Sequence, residues 1–270
     1  AYCDAKAILF RNCDVGVVNA DDPWTKRLLR EATCRVFTYA EQAEADLQAK
    51  NVSLGADHIA FDAVEKSGSV PVQVGIPGGF MVYNTLDVLG AAQALGVSLE
   101  ESARVLAAVP HVKGRVEVVP TPGKDYTILI DYAHSPDGLE NVLTSVKGFA
   151  KGRTIALFGC GGDRDKTKRP KMGKIAADIA DFVVVTSDNP RTENPGDIIA
   201  DILPGLEGSN TPHVVIEDRV EAIHWAMDHA QPGDVIALCG KGHETYQEIN
   251  HVKHHMDERE IVADYLKAGN

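Results

Sequence analysis

Thr154-Ile-Ala-Leu-Phe158, then Gly159-Cys-Gly-Gly-Asp-Arg-Asp165, then a helix opened near Pro170: this succession decides the fold of the second part of the chain. A short apolar, β-branched run predicts a strand, and proline suits a first helical turn. The same succession repeats outward from it. Strands are predicted at Thr127–Ile130, Phe182–Thr186, His213–Ile216 and Val235–Leu238, with helices beginning near Pro136, Pro195 and Arg219. Such alternation reads as an α/β fold with a largely parallel sheet. With five or six strands it resembles a doubly wound, Rossmann-like sheet, whose ligands sit beyond the carboxyl ends of the strands.

The upstream part is less regular. Val15–Val18 and Val36–Thr38 read as strands, Asp22-Pro23 opens a helix to about Glu31, and residues 52–74 look β-rich with a turn at Ser67-Gly68. Phe80–Leu95 reads as a helix because apolar residues return every three or four positions. Ser98 and Glu101 form a capping-box pattern ahead of a helix over Leu99–Ala108. The change of character near Pro110 divides the chain into two domains, 1–109 and 110–270.

The length of 270 residues fits two domains, and 44% hydrophobic with 24% charged residues is ordinary for a soluble globular protein. Lys and Arg number 27 against 39 Asp and Glu, a net charge of −12, so nucleic acid and anionic membranes are poor partners. The five cysteines are odd in number and lack Cys-x-x-Cys spacing. That argues against a disulfide framework or zinc ribbon and fits a reducing cytoplasm. The longest apolar runs, such as Phe182–Val185, are strand-sized, so neither a membrane span nor a signal peptide is expected. A monomer is expected. The chain begins at Ala1, without Met and within what reads as a helix, and is expected to be part of a longer protein.

The chemistry falls just after the strands. Asp131-Tyr-Ala-His134 follows the first, with Ser135-Pro136 as cap and first helical residue; Gly159–Asp165 follows the second, Asp188-Asn-Pro-Arg191 the third and Gly240-Lys-Gly-His-Glu244 the last. Loops at one edge of a sheet bring such groups together. The planar fork of Arg164 or Arg191 suits a carboxylate, and Asp188, Asn189 and Glu244 suit an ammonium. The set therefore fits a zwitterionic amino acid, or one with an extra carboxylate; the structural alternative is loop-capping salt bridges and Asx turns.

These blocks resemble Mur ligases of the MurE type. Ser187-Asp-Asn-Pro-Arg-Thr-Glu-Asn-Pro195 resembles that family's diaminopimelate-recognition motif. Phe158–Pro170 and Gly240–Glu244 resemble two more of its blocks. Ile130-Asp-Tyr-Ala-His-Ser-Pro-Asp137 and Lys113-Gly-Arg-Val-Glu117 resemble Mur ligases more broadly. The similarity runs in order through nearly the whole chain. It implies the end part of a central ATPase domain followed by a Rossmann-like carboxy-terminal domain. It also implies an ATP-dependent ligase that adds meso-diaminopimelate to UDP-N-acetylmuramoyl-L-alanyl-D-glutamate in peptidoglycan synthesis, through an acyl phosphate. Carried over by motif, the diaminopimelate contacts fall on Arg164, Asp188, Asn189, Pro190, Arg191, Gly240 and Glu244. Arg191 then clamps the distal carboxylate that lysine lacks, and Glu244 holds an ammonium. Arg115, Asp131 and His134 match positions near the ATP ribose and phosphates.

In the first domain Tyr2-Cys-Asp-Ala-Lys-Ala-Ile-Leu-Phe10 resembles the segment whose lysine is carbamylated, which places that role on Lys6. A carbamate is an anion able to hold Mg²⁺; the structural alternative is an exposed helix lysine. Asn84 aligns with the second asparagine of a segment near the adenine, while Met81 replaces the first. No Gly-x-x-x-x-Gly-Lys-Ser/Thr occurs, and Mur ligases need that phosphate-cradling loop. It is expected before Ala1, with the domain that binds the UDP sugar, and the chain alone is expected to be inactive. The alternatives are a lysine-adding MurE or folylpolyglutamate-type ligase, against which the Asp188–Arg191 block argues, and a non-catalytic amino-acid- or nucleotide-binding module. His251-Val-Lys-His-His255 lacks partners at zinc spacing and reads as a solvated β-turn. Cys160 and Cys239 end apolar strands and read as buried small hydrophobes.

Overall fold

Apolar residues on both faces of successive strands leave the second part of the chain only one stable solution, a sheet covered by helices on both sides. The computed structural model describes residues 2–55, 58–109 and 112–269. The chain divides into two compact units, Ala1–Pro110 and His111–Asn270. The boundary expected at about 110 falls on Pro110 and His111, which lie outside the described residues.

The first unit contains α1 (Tyr2–Ala7), β1 (Val15–Asn19), α2 (Thr25–Leu28), β2 (Arg35–Ala40), β3 (Leu47–Leu54), β4 (Ile59–Glu65), β5 (Gly68–Val74), α3 (Phe80–Ala94) and α4 (Leu99–Ala108). Its five strands lie in the order β1-β2-β3-β4-β5, parallel from β1 to β3 and antiparallel from β3 to β5. In β4 the alternation of Ile59, Phe61 and Ala63 buries one face, as the period of two requires. Val82, Leu86 and Leu89 of α3 are buried at helical spacing. Ser98 caps α4 by accepting from Glu101 N at 3.2 Å, as the sequence predicts. The helix expected from Asp22 to Glu31 is shorter. Four α-helical residues give way to a 3-10 turn at Leu29–Glu31, and Ala32 is already extended. Asp22 caps Trp24 N at 2.7 Å, and the Thr25 hydroxyl is held on Asn19 O, so the segment is pinned to the end of β1. The hairpin turn expected at Ser67-Gly68 is centred one residue earlier, on Lys66-Ser67.

The second unit contains β6 (Glu117–Val119), β7 (Thr127–Asp131), α5 (Pro136–Phe149), β8 (Thr154–Phe158), α6 (Lys168–Ile179), β9 (Phe182–Val185), α7 (Pro195–Ile202), β10 (His213–Val215), α8 (Arg219–Asp228), β11 (Val235–Cys239), β12 (Tyr246–Ile249), β13 (Val252–His255) and α9 (Glu258–Lys267). The main sheet has the order β10-β9-β8-β11-β7-β6. All neighbours are parallel except the β6 edge. Ile128, Ile130, Ile155, Leu157, Val184, Ile236 and Leu238 form one core with Ala222, Ile223 and Ala226 of α8 and Val262 of α9. The intervening Leu129, Ala156, Phe158, Val183, Val185 and Ala237 are buried too. By the period of two they face the opposite side, where α5, α6 and α7 pack on one another. The sheet is therefore doubly wound. Its parallel strands end at one edge, where Asp131, Phe158, Val185 and Cys239 hand over to the loops.

Candidate functional site

The loop after β9 is held by groups on three sides. Asn189 is 3% exposed. Its Oδ1 accepts from Lys241 Nζ and from Glu248 N, each at 2.9 Å, and its Nδ2 donates to Glu244 Oε2 at 2.9 Å. Asp188 is buried as well. One carboxylate oxygen accepts from Asn189 N at 2.7 Å, whereas Oδ2 is buried with no hydrogen-bond partner among the described residues. A Cβ on Gly240 would stand 2.7 Å from that oxygen, and Gly240 has φ +115°. Glycine at this position therefore keeps the space beside Asp188 open. A buried acceptor without a partner is costly unless something supplies a donor.

Arg191 sits in the left-handed region at φ +53°, which for a non-glycine residue costs about 1–2 kcal/mol. The β12 strand over-determines it. Arg191 N donates to Glu248 O at 3.0 Å, and Asn250 N donates to Arg191 O at 2.7 Å. Gln247 Nε2 also donates to Asp188 O at 2.7 Å. The Arg191 guanidinium donates from Nη1 to Gly162 O at 2.8 Å, and its Nε lies 3.3 Å from Glu248 Oε2.

The loop after β8 packs directly on this segment. Gly162 N donates to Asn189 O at 2.9 Å, and a Cβ on Gly162 would fall 1.9 Å from Pro190 O. Asp163 accepts from the Thr192 hydroxyl at 2.8 Å, and Asp163 N donates to Glu193 Oε1 at 2.6 Å. Arg169, fully buried on α6, donates to both Glu193 oxygens at 2.8 and 3.0 Å and to Asp201 at 2.9 Å. The Arg169 guanidinium pulls the Glu193 carboxyl down to about 2. A depressed carboxylate contributes stability that is complete above its unfolded value and is lost as pH falls through its folded one. Glu193→Gln is therefore expected to melt several degrees lower than the parent near neutrality. Thermal unfolding followed from pH 7 to 2 should show that gap closing below about 4.5, and a gap independent of pH would disprove the coupling.

Arg164 is exposed and donates to Asp163 O at 3.1 Å. It thus stands at the rim, free to turn toward a ligand.

The loop after β7 is different in kind. Asp131 accepts from Val116 N and Ala133 N at 2.8 Å each, so both oxygens serve the chain itself, and burial pushes its carboxyl up. Arg115 and His134 are exposed, and both lie near the Tyr132 ring. The guanidinium lies 5.4 Å from the Tyr132 ring centroid and the imidazole ring 4.7 Å from it. His134 Nδ1 is engaged with Tyr132 O at 2.8 Å, which leaves its other nitrogen outward. The guanidinium offers an anion a charge-assisted partner.

In the first unit Lys6 is exposed on α1, its Nζ 5.6 Å from the Tyr2 ring centroid. It lines a groove with Asp22, Trp24 and Arg27. Among the described residues no three His, Cys, Asp or Glu side chains are grouped as a metal site requires. Asn84 is exposed and meets Met81 Sδ at 3.5 Å.

Residues 1–92 match the family described as Mur ligase middle domain, and residues 114–242 the family described as Mur ligase, glutamate ligase domain. The chain belongs to the Mur ligase family. It is 41% identical over 98% of its length to a Clostridium botulinum protein named UDP-N-acetylmuramoyl-L-alanyl-D-glutamate–2,6-diaminopimelate ligase. Identically named proteins from Caldanaerobacter subterraneus and Bacillus cereus are 44% and 43% identical. The chain spans 55% of the length of each of these relatives. A solved structure titled as the same ligase aligns at 36% identity with a TM-score of 0.65, covering 99% of this chain and 56% of that one. A Mur ligase, MurC of Thermotoga maritima, at 19% identity and a TM-score of 0.67, shares the fold.

Sequence reasoning left several residues around this candidate site unassigned. Lys241, Arg169, Glu193, Gln247 and Glu248 hold the site's walls from within. For Lys241, Arg169 and Glu193 the signal was a charged residue inside a quoted motif, which does not distinguish a buried charge from a solvated one; Gln247 and Glu248 lie outside those motifs.

Proposed function

We infer that this chain forms the ATP- and amino-acid-handling part of a MurE-type ligase, which joins meso-diaminopimelate to UDP-N-acetylmuramoyl-L-alanyl-D-glutamate in cytoplasmic peptidoglycan synthesis. In this reading residues 1–109 end the central ATP-binding domain and residues 110–270 form the amino-acid domain. The carrying observation is the unpartnered, buried Asp188 Oδ2 beside Gly240, on a loop shared with Arg191 and braced against Glu244. Two carboxylates and an arginine fit an amino acid with ammonium and carboxylate at each end. The names of the relatives support the same substrate.

ATP would supply the activation: its γ-phosphoryl group passes to the glutamyl carboxylate as ADP leaves, and the incoming amine then displaces phosphate from the carbonyl carbon and loses a proton. The chain's own residues position the reactants. Asp188 and Glu244 take the ammonium groups, Arg164 and Arg191 the carboxylates, with Asn189, Pro190 and Gly240 shaping the pocket. Arg115, Asp131 and His134 are assigned to the ATP ribose and phosphates and Asn84 to the adenine, on the family motifs they match. The Lys6 groove offers Asp22 as its carboxylate, which does not by itself make the octahedral oxygen shell that Mg²⁺ prefers. A carbamate on Lys6 would add oxygen donors.

The reading is tested by ADP release from the protein at the length of its curated relatives. Release is expected to require diaminopimelate and the UDP-muramoyl dipeptide together, and release indifferent to diaminopimelate would refute it. Lys6→Ala is expected to cut turnover strongly without rescue by bicarbonate; near-normal turnover would remove the carbamate role.

A further inference from the structure

Lys241 is a cation that the proposed chemistry leaves without a task. It follows β11 directly and is fully buried. Its Nζ donates to Asn189 Oδ1 at 2.9 Å, lies 3.3 Å from Glu244 Oε2, and stands 5.6 Å from the Tyr246 ring centroid. A lysine is rarely enclosed without a specific reason, because desolvating an ammonium costs several kcal/mol. An apolar side chain of the same length would fill the space without that cost.

The geometry supplies the reason. Asn189 Oδ1 receives Lys241 Nζ and Glu248 N. Both are donors only, so the atom they meet must be the amide oxygen. This fixes the amide orientation and turns Nδ2 toward Glu244 Oε2, 2.9 Å away. Glu244 Oε2 is thereby held by Asn189 and Lys241 together, and Oε1 remains for a ligand. Burial pushes the Lys241 ammonium down, while Asp188 and Glu244 oppose that push.

The geometry points to Lys241 as a positioning residue for amino-acid recognition, locking the Asn189 amide as a donor and aiming Glu244 at the substrate ammonium. This rests on the diaminopimelate reading above. Without Lys241, Asn189 Oδ1 keeps only Glu248 N, so the amide is held more weakly, and Glu244 keeps a carboxylate no longer tethered by a cation.

Two variants test it. Lys241→Met keeps the length and removes the donor; Lys241→Gln keeps an N–H donor without charge and carries the test if the methionine variant fails to fold. Two readouts are needed. The first is KM and kcat for diaminopimelate, with ATP and the UDP-muramoyl dipeptide saturating, at the length of the curated relatives. KM is expected to rise at least about tenfold in Lys241→Met and about threefold or more in Lys241→Gln, with kcat changing much less. The second is heteronuclear NMR of the 270-residue chain, following the Asn189 side-chain amide pair, assigned by its loss in Asn189→Ala. In the parent this pair should exchange slowly with water, in Lys241→Met rapidly, and in Lys241→Gln at an intermediate rate. An unchanged KM together with an unchanged Asn189 pair in both variants overturns the proposal. A parent whose turnover ignores diaminopimelate refutes the substrate reading instead, and the NMR comparison still decides whether Lys241 orders Asn189.

Discussion

Glu258→Ala is expected to lower the stability of the His111–Asn270 unit by about 3–5 kcal/mol, the usual consequence of leaving one member of a buried ion pair uncompensated. Arg219 and Glu258 are both fully enclosed. Arg219 Nε donates to Glu258 Oε1 at 2.8 Å, Nη2 donates to Cys239 O at 2.9 Å, and Nη1 lies 3.4 Å from Ser187 O. One guanidinium thus ties the end of β11, the residue before Asp188, and the first turn of α9. Removing Glu258 leaves the guanidinium buried with two carbonyls and, of its counter-charges, only that of Asp188. For a unit of this size that corresponds to a melting point lower by roughly 6–20 °C. The double variant Arg219→Met/Glu258→Leu should recover most of the loss, because apolar pairs replace buried ion pairs at little cost. Calorimetric melting of the three proteins checks this, and a shift below about 2 °C for Glu258→Ala would show that the pair holds nothing together.

The strands of the second unit were legible because their residues are apolar without interruption, and no loop can bury such runs. Its helix starts were legible for a local reason: Ser135 and Asn194 cap α5 and α7 through their side chains, each with proline following. The β12–β13 hairpin was not foreseen as such. Tyr246-Gln-Glu-Ile249 does not alternate, and its turn places Asn250 and His251 at positive φ without the glycine that usually announces one. What stabilises it is tertiary, the isolated bridge from β12 to Arg191. β6 has only three residues and is a strand because β7 offers it an edge. The loops bearing Asp188, Arg191, Gly240 and Glu244 were found from their sequence because strand ends carried charge. The buried roles of Lys241 and Arg169 were not, since exposure is decided by neighbours far along the chain.

Arg191→Ala is expected to reduce kcat/KM for diaminopimelate at least about tenfold to a hundredfold and to harm lysine much less. Diaminopimelate and lysine differ by one distal carboxylate. A charge-assisted arginine–carboxylate pair contributes roughly 1.5–3 kcal/mol, which is about that range in rate. Arg191 is suited to this because Gly162 O and Glu248 hold its Nη1 and Nε, while its backbone is fixed by β12. The guanidinium is oriented before a ligand arrives, so little entropy is lost on binding. Arg191→Lys should recover only part of the loss, because a point charge does not reproduce the planar fork. If both substrates lose equally, Arg191 is a loop brace and not a specificity residue.

The most direct measurement is a competition. The protein at the length of its relatives, given ATP, the UDP-muramoyl dipeptide and equal diaminopimelate and lysine, is expected to form the diaminopimelate product almost alone, read by product mass. Lysine product in comparable amount would contradict the assignment of this site.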